Sequence, residues 1–168
     1  MIVIADTTPI ITLLKLAQLD LLEKLFGTVI IPNAVYEELT SNPKYSSEAQ
    51  IIAKCSFLKR LGVFDRQSIK ILREIVGLDI GESEAIALAE EKNADLLIID
   101  ERKGRRVAKQ MGLKVTGTIG ILLQAFDSKV LSLEKILTYM EELKNSRIRI
   151  SDALFELVLD HIKTQRIQ

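Results

Sequence analysis

Residues 96–122, LLIIDERKGRRVAKQMGLKVTGTIGIL, decide the fold. The apolar run LLII stops at Asp100. A basic stretch follows in which Gly104, Val107, Ala108 and Met111 recur at helical spacing and are expected on a buried face. KVT then reads as a second short strand, and GTIGIL opens another helix. Strand, helix, strand, helix in this order is the repeating unit of a parallel sheet. LLII carries no polar alternation, which suits a strand covered on both faces.

Working outward, MIVIA (1–5) and TVII (28–31) are runs of the same kind, each followed by a helical pattern. The expected architecture is α/β: a three-layer α/β/α sandwich on a parallel central sheet. Between Ser41 and Gly62, and again between Ile69 and Leu78, helical patterns occur without a clear strand, so extra helices are expected in the middle of the chain. The stretch Ser132–Ile167 also reads as helical and adds helices at the C-terminus. No repeat, Gly/Ser linker or low-complexity stretch interrupts the sequence, so residues 1–168 are expected to form a single domain.

The composition sets limits on function. Of the 168 residues 48% are hydrophobic, enough for an ordinary core. Aromatic residues make up 5% and tryptophan is absent, which disfavours a surface of several stacked aromatics such as an RRM-like sheet. Twenty-three basic and 23 acidic side chains cancel, so nucleic-acid contact must be local. The single Cys55 excludes an internal disulfide and CxxC metal patterns and fits a cytoplasmic location. MIVIADTTPI lacks the features of a cleaved leader, and no apolar run reaches the ~20 residues of a membrane helix. With His161 as the only histidine, neither a His-rich zinc site nor a Ser-His-Asp triad is easily built. Any chemistry must rest on carboxylates.

In an open parallel sheet ligands bind beyond the carboxyl ends of the strands. Two strands end there in aspartate: Asp6 after MIVIA, before a helix that Thr8 is expected to cap with Pro9 at its first position, and Asp100 after LLII. In PNAVYEEL, Val35 and Leu39 define the buried stripe; Glu37 lies opposite it, and Glu38 lies on its flank, where it can look toward the sheet edge. In LDIGESEAIALAEE, Glu82 shares a stripe with Ala85, Ile86 and Ala89, whereas Glu84 lies closer to the side of the helix. The competing use of Glu82 is a capping box with Asp79, and Gly81 permits close backbone packing. Convergence of Asp6, Glu38, Glu82 and Asp100 would crowd negative charge, and an all-oxygen set suits a hard ion such as Mg²⁺ or Mn²⁺. The matching reaction is phosphodiester hydrolysis.

Those segments, IADTTPI, IPNAVYEEL, LDIGESEAIALA, LLIIDERKGRRVA and VTGTIGIL, together resemble the PIN-domain proteins, in the prokaryotic branch related to the toxin ribonucleases of toxin–antitoxin pairs. The resemblance covers most of the chain. It implies a carboxylate pocket for Mg²⁺ or Mn²⁺ and metal-dependent cleavage of RNA, with Asp6, Glu38, Glu82 and Asp100 in the acidic positions. Many toxins carry Asp where Glu82 stands, so Glu82 and Glu84 both stay open as the metal-side acid, with Glu82 preferred. The resemblance further implies a homodimer and an antitoxin lying over an apolar groove, with Tyr45, Phe57 and Leu58 as candidate contacts.

Basic residues concentrate beside Asp100: Arg102, Lys103, Arg105, Arg106, Lys109 and Lys114. With the apolar face turned inward, Arg102, Arg105, Arg106 and Lys109 are expected outward, where they can pair with RNA phosphates. Thr118, at a new helix start, is expected to touch a phosphate or a water, or to serve as a cap. Two other readings compete. In one, Asp6 is the nucleophile of a phosphoacceptor or phosphatase domain; ADTTP has no paired aspartates to support it. In the other, the chain is a non-catalytic PIN-like module that binds RNA or a protein partner.

Overall fold

The computed structural model describes residues 1–146 and 150–165. It falls into two compact units, 1–118 and 119–168. The first holds a five-stranded, all-parallel sheet made of β1 (Val3–Ala5), β2 (Val29–Pro32), β3 (Leu58–Leu61), β4 (Leu96–Ile98) and β5 (Val115–Thr116), in the order β3-β2-β1-β4-β5. Val3, Ile4, Ala5, Leu97 and Ile98 are essentially inaccessible. Burying each larger aliphatic contributes about 1.5–3 kcal/mol, which is why these runs show no polar alternation.

The helices of this unit are α1 (Thr7–Lys15), α2 (Asp20–Phe26), α3 (Asn33–Ser41), α4 (Ser46–Lys54), α5 (Arg66–Ile71), α6 (Ile80–Glu91) and α7 (Arg102–Gln110), with a 3-10 turn at Pro43–Tyr45 and a π-helical turn at Leu72–Val76. Connections running from β1 toward β3 and from β1 toward β5 lead in opposite directions. Right-handed crossovers therefore place helices on both faces, as a three-layer α/β/α fold requires. The strand order reverses at β1 and β4, whose register pairs Ala5 with Ile98, and the Asp6 amide donates to the Ile98 carbonyl at 2.9 Å. Asp6 and Asp100 thus leave the sheet at its switch point.

Four details differ from the sequence reading. Strand β3 lies inside Ser41–Gly62, where none was expected: it is an edge strand with Lys59 and Arg60 exposed, so it lacks an apolar run. Helix α1 starts at Thr7 with Asp6 in the cap position (φ −86°, ψ 170°), so Thr8 does not cap and Pro9 is not the first helical residue. Met111 ends α7 and is 36% exposed, outside the buried stripe. Tyr45 and Leu58 are buried, which removes them from a surface groove and leaves only Phe57, partly buried, of the three expected contacts.

The second unit contains the body of α8 (Thr118–Asp127), then α9 (Leu133–Lys144) and α10 (Asp152–Gln165), which pack on each other. Ser132 caps α9 by accepting from the Lys135 amide. The expected helical stretch Ser132–Ile167 includes 147–149 and 166–167, which lie outside the described residues. Among the described residues no helix is long and apolar enough to cross a membrane.

Candidate active site

Asp6 leaves β1 into a crowded, dry corner. Its side chain is buried and makes no cap hydrogen bond. Helix α6 enters the same corner through a capping box: Asp79 Oδ1 accepts from the Glu82 amide at 2.8 Å, and Glu82 Oε2 accepts from the Asp79 amide at 3.0 Å. Gly81 lets the backbones close. A β-carbon there would stand 3.3 Å from Asp6 Oδ1, 3.4 Å from Asp79 Oδ1 and 3.6 Å from Thr7 Oγ1, so three oxygens converge on the space a side chain would fill. Desolvation pushes the Asp6 carboxyl up to about 7; the Thr7 amide opposes this, and the charges of Asp79, Glu82 and Glu38 add to it. Burial likewise raises Glu82, with Asp79 and Glu101 adding to the shift against the Asp79 amide and Lys103. Its second oxygen, Oε1, is buried without a hydrogen-bond partner.

Glu38 is joined to this corner through Thr7, whose hydroxyl donates to Glu38 Oε2 at 2.7 Å. Val35 and Leu39 anchor the other side of α3 in the core, while Glu37 turns outward to Arg60. Glu84 differs from Glu82: its Oε2 accepts from the Ala34 amide at 2.8 Å near the start of α3, where the helix dipole favours a carboxylate. Glu38 and Glu84 share an open cleft of about 670 Å³, lined also by Asn33, Asn42, Val63 and Arg66. Glu82 therefore sits with Asp6, and Glu84 sits in the cleft.

Asp100, beyond β4, is held quite differently. Thr118 donates twice, its amide to Oδ1 at 2.7 Å and its hydroxyl to Oδ2 at 2.6 Å. Burial raises the Asp100 carboxyl, against both Thr118 bonds and the nearby Arg105 guanidinium. Gly117 makes the grip possible, because a β-carbon there would collide with Asp100 Oδ1. Thr118 is only 2% exposed and donates its hydroxyl to Asp100, so it positions that carboxylate. Arg105 is half-buried, with Nη1 donating to the Ile99 carbonyl at 2.8 Å. Arg102, Arg106 and Lys109 are exposed on α7 and, with Arg105 and Gln110, line a shallow depression of about 460 Å³.

A family model described as a PIN domain matches residues 2–164. The chain belongs to the PIN-domain family. The parallel sheet between layers of helices is the fold that membership implies, and PIN domains are in general nucleases that typically use divalent metals. No curated protein and no solved structure matches the chain.

The donors of this PIN domain fit a hard cation by chemistry: they are all oxygens, the Asp6 charge is poorly compensated, and Glu82 Oε1 is orphaned. Their spacing is looser, for among the described residues no three His, Cys, Asp or Glu side chains stand together as a metal-holding group. Asp79 is the acid that sequence reasoning assigned to capping alone. Its approach to Asp6 depends on how α6 packs against β1, and Gly81, which permits that approach, was the one local signal.

Proposed function

We propose that this PIN-domain protein is a metal-dependent ribonuclease that hydrolyses RNA phosphodiester bonds with Mg²⁺ or Mn²⁺. The observation that carries the reading is Asp6: a buried carboxyl at the sheet's switch point, raised to about 7 with three further acids around it, keeps a negative charge readily only if a cation joins it. Asp6, Glu38, Glu82 and Asp100 are the residues that would hold the ion. Bound there, the ion supplies a Lewis acid that makes a hydroxide nucleophile available near neutral pH and stabilises the leaving oxygen. Thr7 and Thr118 fix the Glu38 and Asp100 carboxylates. Arg102, Arg106 and Lys109 would grip the phosphates of the strand, with Arg105 close to Asp100.

The toxin role, the antitoxin partner and the homodimer rest on the family resemblance. One domain spanning both units is supported by the reach of the family match, 2–164. A second reading, a non-catalytic module that binds RNA or a protein partner, is favoured by the loose spacing of the acids. The test is cleavage of several labelled RNAs with Mn²⁺, with Mg²⁺ and with chelator, by the wild type and by Asp6→Asn. Metal-dependent cleavage that falls at least about a hundredfold in the variant supports the nuclease. Binding of RNA without cleavage under any metal supports the module.

A further inference from the structure

Helix α7 carries its cations on two different terms. Arg102, Arg106 and Lys109 are exposed, whereas Arg105 is half-buried, although all four line the same shallow depression. Taking part of a guanidinium out of water costs free energy unless its donors are met. Nη1 of Arg105 is met by the Ile99 carbonyl, at 2.8 Å. That carbonyl belongs to the peptide plane joining Ile99 to Asp100, from which the Asp100 side chain starts. The preceding peptide is fixed as well, its Ile99 amide donating to the Thr116 carbonyl at 2.9 Å.

Gly117 shows how closely these groups gather. A β-carbon there would meet Asp100 Oδ1 first, and would stand 2.9 Å from Arg105 Nη1 and 3.4 Å from the Ile99 carbonyl oxygen. Carboxylate, guanidinium and carbonyl therefore crowd one point above Gly117. Thr118 gives each Asp100 oxygen one hydrogen bond, so lone pairs remain on both for an ion. Arg105 adds a hold from the backbone side and a positive charge that works against the effect of burial on the carboxylate. Arg102, Arg106 and Lys109 keep their charged heads in water, ready for an anion; Arg105 has already spent part of its fork on its own backbone.

We propose that Arg105 is a positioning residue of the candidate active site: it locks the Ile99–Asp100 peptide, so aims the Asp100 carboxylate, and leaves RNA phosphates to Arg102, Arg106 and Lys109. Its effect on cleavage rests on the ribonuclease reading, whereas its hold on Asp100 does not. Sequence spacing puts Arg105 among the outward cations of α7; the bond to a carbonyl six residues back sets it apart from them.

The test compares Arg105→Met, which keeps the apolar stem and deletes the guanidinium, with Arg106→Ala, both in the full chain. In chelator, Arg105→Met should bind a labelled oligoribonucleotide with the affinity and salt slope of the wild type, whereas Arg106→Ala should lower the slope by about one. With Mn²⁺, Arg105→Met should lose about a hundredfold in kcat with KM within about twofold of the wild type, because a misplaced carboxylate acts on the chemical step. In denaturant melts at pH 8 in chelator, the drop in midpoint caused by Arg105→Met should be clearly smaller in an Asp100→Asn background. Equal drops in the two backgrounds would overturn the proposal and leave Arg105 a cap on the strand end; a salt slope lowered as in Arg106→Ala would overturn it and make Arg105 an RNA contact; an unchanged kcat would overturn it as well. If the wild type cleaves no RNA under any metal, the ribonuclease reading fails and the effect on cleavage with it. The midpoint comparison uses neither RNA nor metal, so it still decides whether Arg105 holds Asp100, and the two failures are distinguishable.

Discussion

Asp6 and Asp100 leave adjacent parallel strands at the same edge of the sheet, and they meet opposite surroundings. Asp100 has a hydroxyl on one oxygen, an amide on the other and a guanidinium nearby, all from its own chain. Asp6 has no comparable donors and is ringed by Asp79, Glu82 and Glu38. The contrast separates two ways of using a buried carboxylate. One is fixed in place by permanent partners, so its geometry is set before any ligand arrives. The other is left short of positive charge, so folding keeps it ready for a proton or a cation.

The largest effect that breaks this contrast is on stability against pH. In the unfolded chain Asp6 titrates near 3.8; in the folded chain it holds its proton up to about 7. Between those values the folded state binds more protons, so the Asp6 contribution to stability falls as pH rises through the window and is flat above it. In chelator, Asp6→Asn should remove that loss and stabilise the protein by ~4 kcal/mol above pH 7, an effect that fades toward pH 4. Denaturant melts of both proteins at pH 4.5, 6 and 8 measure it, and a constant difference across pH would erase the distinction drawn for Asp6.

The Asp100 side responds in the other direction and by less. Gly117→Ala forces a methyl group into the carboxylate and should cost about 2 kcal/mol. Thr118→Val keeps the shape and the amide but deletes the hydroxyl bond, and should cost about 1–2 kcal/mol. Both losses should shrink in an Asp100→Asn background if the grip on the carboxylate is their cause. Chemical denaturation of the single and double variants measures that coupling, and full additivity would mean that the Thr118 contacts hold something else.

What the sequence revealed follows from which forces act locally. β1, β2 and β4 stand out because strands covered on both faces are written as unbroken apolar runs. β3 does not, because an edge strand carrying Lys59 and Arg60 in water looks like a loop. The aspartates at the ends of β1 and β4 were legible from strand-end logic alone. Their contrast was not, since Thr118 reaches Asp100 across 18 residues of chain and Asp79 reaches Asp6 through the packing of α6. The capping box of Asp79 and Glu82 could be read as a cap, but the orphaned second oxygen of Glu82 could not.

The central claim is that Asp6, short of positive charge, gives up its proton readily only when a cation joins it, while Asp100 is fixed in place by its own chain before any ion arrives. The most direct test is a calorimetric titration of the protein with Mn²⁺ at pH 6 and pH 8, with the released protons counted from buffers of different ionisation heat. A carboxyl that titrates near 7 is mostly protonated at pH 6, so binding should release about one proton per ion there and close to none at pH 8. Asp6→Asn should lower the release at pH 6 by about one proton, whereas Thr118→Val should leave the Asp6 share in place. Binding with no pH-dependent proton release, or no binding of Mn²⁺ by the wild type, would contradict the account.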